Sequence, residues 1–365
     1  GTGIDAEAPR CALLSNGTYC LAVTEAGQSF ARWHALSVCR RGTRADPAAG
    51  PVVRLETDDF SGPLLPGTAA GAQWRFTVRA AQFTARHGDV TAVQTLTVPG
   101  RANGEVRALT LSSPRGIEGT VRFVFEAVLA PWEDYVNHPA FARLGFQSVL
   151  RRNALLLRRL GRGGKPETWL CAACDRPGTW RAEGPVPGWL RAGRVELSVP
   201  VHTAPDTPWR VRFALGVGAH EDDAFAAAQR ALVLPPESAA ALPGTLAAQY
   251  GMTDAELEGA MAHISPLLFP TAAPDAAAEQ LKRPALWAHG ISGDLPVWCA
   301  RPEAHVLRQW ALLRALGIGC DLALCTSDGG DYLQPTRTKV RGALAALDLA
   351  HCLDAPGGVH LVPED

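Results

Sequence analysis

The sequence predicts a mainly β chain: an antiparallel β-sandwich, then a helical linker, then a small α/β module with a short parallel sheet. Three observations carry this expectation. Up to about residue 235, short runs alternate apolar and polar side chains, and Gly, Pro, Asn or Asp punctuate them. Alternation with period two marks a strand that buries one face and wets the other, the usual state of an antiparallel sheet. Around residue 220 the composition turns Ala-rich with helical spacing. Beyond residue 285, strand-like and helix-like runs alternate, which implies parallel pairing through crossovers. The expected division is 1–235 for the sandwich, 236–284 for the linker and 285–365 for the small module.

The elements follow in order. Residues 120–130 (TVRFVFEAVLA) and Trp209–Gly218 (WRVRFALGVG) are the clearest strands. Val121, Phe123, Phe125 and Ala127 share one face of the first; Val211, Phe213, Leu215 and Val217 share one face of the second. Weaker strand patterns cover 11–21, 74–80, 90–98, 105–112 and 195–201. Glu221–Val233 (EDDAFAAAQRALV) is helical, with acidic residues where a helix N-terminus favours them. Thr253 and Glu256 fit a capping box that opens another helix. Strands are expected at 295–300, 320–325 and 358–363, with helices at 302–316 and 336–350.

Hydrophobic residues are 47% of the 365 and charged residues 19%, which supplies more than one core. Net charge is −1, and no field of one sign draws the chain to nucleic acid. No apolar run approaches the ~20 residues of a membrane-spanning helix. The opening GTGIDAEAPR has neither the basic nor the apolar region of a signal peptide. Nine cysteines, spread from Cys11 to Cys352, suit reduced thiols in the cytoplasm better than a disulfide framework.

Motif chemistry is sparse. Cys171 and Cys174 form a CxxC, but no second pair or correctly spaced histidine follows, so both read as structural thiols and no metal is expected. GxSxG, P-loop and GxGxxG patterns are absent, and no cofactor is expected. The acidic pairs Asp58-Asp59, Glu133-Asp134 and Asp222-Asp223 are sequence neighbours, which point to opposite faces of a strand; none makes a glycosidase dyad. No catalytic residue is assigned.

Two stretches are richer. Residues 130–146 (APWEDYVNHPAFARLGF) combine Trp132, Tyr135, Phe141 and Phe146 with Glu133, Asp134, Asn137 and His138. Aromatic rings stack on pyranose faces while carboxylates and amides take hydroxyls, so the mixture suits a sugar cleft; a structured loop beside Pro139 is the alternative. Residues 286–298 (LWAHGISGDLPVW) place two glycines, Ser292 and Asp294 between Trp287 and a strand. Glycines permit sharp turns, and Asp294 can bond its own backbone. The alternative there is a loop that docks the small module.

These stretches together resemble one family. Residues 13–33 (LLSNGTYCLAVTEAGQSFARW) are similar to the opening of the β-sandwich in cyclic β-1,2-glucan synthases and family-94 glycoside phosphorylases, the glycosyltransferase-36-like group. FVFEAVLAPWEDYVNHPAFARLGFQS, LWAHGISGDLPV, LRQWALLRALGIGCDLALC and GGVHLVPED resemble segments that follow in the same order. The resemblance runs from about residue 10 to 365. It implies a galactose-mutarotase-like supersandwich and a carbohydrate-handling role. Chemistry in that family resides in α/α barrels, and none is matched in this sequence; the "WG…YLRD" strands are also missing.

The resemblance therefore implies a non-catalytic, carbohydrate-binding or scaffolding segment. Its partners would be a β-glucan or other oligosaccharide and a catalytic α/α barrel in the same or another chain, with homodimerisation also compatible. Candidate saccharide contacts are Trp33, Glu126, Trp132, His138, Trp287, His289, Ser292 and Asp294. A stand-alone aldose epimerase, with Glu126 and His138 as its acid–base pair, and a purely structural dimerisation module are the alternatives. The expected location is the cytoplasm, either free or as the cytoplasmic part of a membrane-associated synthase.

Overall fold

The structure is a computed structural model, described for residues 10–42, 49–69, 71–131, 134–135, 145–161, 166–182, 189–190, 193–269, 284, 286–327 and 334–364. The chain divides into two compact units, Gly1–Leu242 and Pro243–Asp365.

The first unit is a sandwich of two nine-stranded antiparallel sheets. In chain order its strands are β1 (Cys11–Ser15), β2 (Tyr19–Thr24), β3 (Ser29–Trp33), β4 (Leu36–Cys39), β5 (Val52–Glu56) and β6 (Ser61–Pro63). Then come β7 (Gln73–Phe76), β8 (Ala80–His87), β9 (Val90–Thr97), β10 (Gly104–Ser112), β11 (Ile117–Pro131) and β12 (Phe146–Arg151). Last are β13 (Ala154–Arg159), β14 (Thr168–Cys174), β15 (Thr179–Ala182), β16 (Trp189–Leu190), β17 (Gly193–Thr203) and β18 (Trp209–Gly218). The first sheet runs β1-β2-β3-β4-β11-β17-β15, with β5 also on β11 and β6 on β5. The second runs β16-β12-β13-β14-β18-β10-β9-β8-β7.

Strand β11 is long enough to take three partners. Its N-terminal half pairs with β5, its C-terminal end with β4, and β17 runs along the other edge. The register slips between Ala127 and Ala130, where Leu129 takes a φ of 46°. This bulge bends the strand just beyond Glu126.

The core fills the space between the sheets. The four apolar residues named on one face of 120–130, and the four named on β18, all belong to it. Phe123 stacks on Phe213 across the gap, with centroids 5.1 Å apart. One charged cluster is enclosed here: Glu105 and Arg107 of β10 pair at 2.8 Å, and both are buried. The Tyr19 hydroxyl donates to Glu105 at 2.8 Å. Arg107 donates to the Ser29 hydroxyl at 3.0 Å and to the Pro51 carbonyl at 2.9 Å. Every strong donor and acceptor is thus matched, the condition under which buried charge is tolerated.

Helix α1 (Glu221–Val233) backs the second sheet, setting Ala224, Ala228 and Ala231 against Val106, Ala173 and Ala214. Gly216 permits this: a Cβ there would lie 2.3 Å from the Ala228 nitrogen and 2.7 Å from the Ala224 carbonyl oxygen. Cys171 packs under this helix, whereas Cys174 points into the sandwich core. The CxxC sulfurs therefore lie on opposite faces of β14. Burial pushes both thiols up to about 12.

Two expected strands prove to be hairpins. Residues 11–21 divide into β1 and β2, because Asn16 Oδ1 accepts from the Thr18 and Tyr19 amides and turns the chain. Residues 74–80 divide at the Thr77 turn between β7 and β8.

The second unit holds helices α2 (Leu242–Gln249), whose first residue belongs to the first unit, and α3 (Asp254–Leu268). Strand β19 (Val297–Ala300), helix α4 (Ala304–Ala315), β20 (Asp321–Thr326), α5 (Pro335–Ala346) and β21 (Val359–Pro363) follow. The strands form a parallel sheet in the order β19-β20-β21. Thr253 and Glu256 make the expected capping box. Glu256 also ion-pairs with Arg308 of α4, and its carbonyl accepts from Gln309 at 2.8 Å. Among the described residues, no helix is long and apolar enough to cross a membrane.

Candidate functional site: a charged cleft on the first sheet

The alternation that sends Phe123 and Phe125 into the core turns Arg122, Val124 and Glu126 to the opposite face of the first sheet. Strands β5 and β17 flank β11 there. Their registers set Arg54 opposite Arg122, Val52 opposite Val124, Glu196 opposite Val124 and Arg194 opposite Glu126. These outward side chains, with Arg40, Ala49 and Gly50, line a cleft of about 270 Å³. Val52 and Val124 pack with Leu65 into a small apolar patch within this charged surface.

The charges are arranged in pairs. Arg40 Nη1 lies 3.6 Å from Glu126 Oε2, and the Arg40 amide donates to the Glu126 carbonyl at 2.7 Å. Arg122 reaches Glu56 at 2.8 Å through one Nη and contacts Glu196 through the other. The hydrogen bonds that Arg122 donates to Glu196 and to Glu56 raise its pKa above the ordinary value. Glu126 is 6% exposed, so its carboxylate is presented in one direction and held by neighbours. The arrangement offers fixed donors and acceptors to a polar ligand around an apolar strip, the combination a hydroxyl-rich ring requires.

Of the residues singled out in the sequence, Glu126 lines this cleft. Trp33 packs against the sandwich core, and its buried indole nitrogen has no acceptor among the described residues. Trp132 and His138 lie outside the described residues, as does the epimerase pairing that needs His138. In the second unit, Trp287, Ser292 and Asp294 come together in one exposed loop. The Trp287 indole donates to the Ser292 carbonyl at 3.1 Å, and the Asp294 amide donates to the Ser292 hydroxyl at 3.2 Å. Gly290 and Gly293 turn the loop with φ of 75° and 79°, and buried Ile291 anchors it. Trp287 stays 60% exposed, leaving part of its ring open. His289 is exposed, and its amide donates to the Leu286 carbonyl.

Sequence reasoning missed Arg40, Arg54, Arg122, Arg194, Glu56 and Glu196. Each reads alone as an ordinary solvent-facing charge. The available signal was the repeated charged outward position in VVRLE, TVRFVFE and GRVEL, three segments joined only by sheet topology.

Two broad antiparallel sheets, one backed by a helix and the other bearing a polar cleft, make the first unit a β-supersandwich. The chain belongs to the glycosyl hydrolase 94 supersandwich domain family, whose model matches residues 1–183. Similar solved structures include a bacterial glucoamylase complexed with acarbose, at 8% identity and a TM-score of 0.48, over 71% of this chain and 40% of that one. A protein from the human microbiome assigned as a kojibiose phosphorylase matches at 6% identity and a TM-score of 0.35, over 69% of this chain and 31% of that one. A galactose mutarotase related enzyme from Lactobacillus acidophilus matches at 9% identity and a TM-score of 0.35, over 57% of this chain and 97% of that one. This chain therefore spans less than half the length of the first two. No curated protein sequence matches it.

Proposed function

We propose that the chain is a non-catalytic carbohydrate-binding module of a β-glucan synthase or glycoside phosphorylase of the cyclic β-1,2-glucan synthase type. It holds an oligosaccharide in the β5-β11-β17 cleft for an α/α barrel in the same or another chain. The supporting observation is the cleft itself, of about 270 Å³, in which Glu126 faces Arg40 and Arg122 bridges Glu56 and Glu196. Carboxylates paired in this way serve as fixed hydroxyl acceptors, and the guanidiniums serve as donors. The exposed Trp287 ring, with His289, Ser292 and Asp294 beside it, supports a second saccharide contact in the other unit. Family membership supports the carbohydrate class; the synthase assignment rests on the ordered motifs of the sequence.

Calorimetric titration of the full chain with β-1,2-gluco-oligosaccharides tests the reading. Binding is expected, and Glu126→Ala should weaken it roughly ten- to a hundredfold, the worth of a hydrogen bond to a charged group. No heat and no chemical-shift change at millimolar sugar would overturn it.

A further inference from the structure

We infer that the cleft selects saccharides carrying an anionic substituent and that Arg54 is the residue that reads the charge; this rests on the cleft being the sugar-binding surface. Arg54 and Arg122 stand directly opposite each other on neighbouring strands. Like charges so placed repel, and each needs a counter-charge. Arg122 has two, Glu56 and Glu196. Arg40 has Glu126. The Arg54 guanidinium, half-buried and lining the same cleft, makes no hydrogen bond or ion pair with any described residue.

The lining holds four arginines against three glutamates, one positive charge in excess. Arginine cannot relieve this by losing its proton. A neutral sugar would offer Arg54 single hydroxyls. A carboxylate or a phosphate monoester instead meets the guanidinium fork with two parallel N–H···O bonds and cancels the excess charge. Uronate and sugar phosphate share this chemistry, so the class is an acidic saccharide.

The test titrates the full chain with four probes: a neutral β-linked gluco-oligosaccharide, the same length bearing a glucuronate, its phosphate monoester, and inorganic phosphate. At least one acidic sugar should bind about tenfold or more tightly than the neutral one. Which of the two does so identifies the source of the charge. Arg54→Gln should bring the acidic-to-neutral ratio close to one, and Arg54→Lys should retain part of it. Removing the repulsion with Arg122 should leave the Arg54→Gln protein at least as resistant to thermal unfolding as the parent, so a lost preference would not reflect misfolding. Equal binding of neutral and acidic sugars, or a preference that survives Arg54→Gln, would overturn the inference and leave the sugar cleft standing. Inorganic phosphate bound as tightly as the sugar phosphate would overturn it too. Binding of no sugar at all would remove the inference and the cleft reading together.

Discussion

Replacing Arg107 by Met would strand the Glu105 carboxylate in the sandwich core, where nothing else of opposite charge contacts it among the described residues. Breaking a buried pair on one side costs about 3–5 kcal/mol, more than the intact pair contributes. Urea denaturation of Arg107→Met should show a loss of that order, and adding Glu105→Gln should recover part of it, because an amide needs no cation and still accepts from Tyr19. A single variant within about 1 kcal/mol of the parent would contradict the argument. This cluster also marks the limit of what single residues disclose in a sequence. Glu105 and Arg107 occupy core-facing positions of β10, yet their charge argues for the solvent face. Their partners Tyr19 and Ser29 come from another sheet. Glu126 was legible because a family motif surrounds it; Arg54 and Arg122 were not, because their meaning arises only when β5 and β11 lie side by side.

At the level of elements, helices were easier to read than strands. The capping box at Thr253 depends on residues three apart and carries its own chemistry, so sequence and structure agree on where α3 begins. Thr253→Ala should cost about 1 kcal/mol of stability, the usual value of an N-cap. The same helix start responds to acid. The Thr253 amide and the Arg308 guanidinium hold the Glu256 pKa below its ordinary 4.5. A carboxyl lowered on folding contributes fully above its unfolded value, and the contribution fades as pH falls through the lowered one. Thermal unfolding followed from pH 7 into the acidic range should therefore lose stability below about 4.5, and Glu256→Gln should flatten that dependence. An unchanged pH profile in Glu256→Gln would exclude the mechanism. Strands gave less away: alternation runs unbroken through residues 74–80, although the chain turns at Thr77 between β7 and β8. Helix α1 was plain from its composition, while its seat on Gly216 required knowing that β18 is central.

For the whole molecule, the two-layer architecture was legible, since so many alternating segments without intervening helical period leave few other solutions. Strand order was not, because it depends on pairings between distant residues. That order bears on where the sandwich domain stops. The family match ends at residue 183, before β17 and β18. Yet β17 lies against the length of β11, and β18 joins β14 to β10. A fragment of residues 1–183 should therefore lack a cooperative unfolding transition and protected amides, whereas 1–242 should show both; a cooperative 1–183 fragment would refute this reading of the topology. The same arrangement governs how the chain emerges from the ribosome. The last sandwich strands to be made lie inside both layers, so β10, β11 and β14 wait with naked edges while everything up to Gly218 is translated. Such edges recruit other chains. The nascent polypeptide thus depends on being shielded until its final two strands arrive, and its folding rate is set by that late, long-range closure.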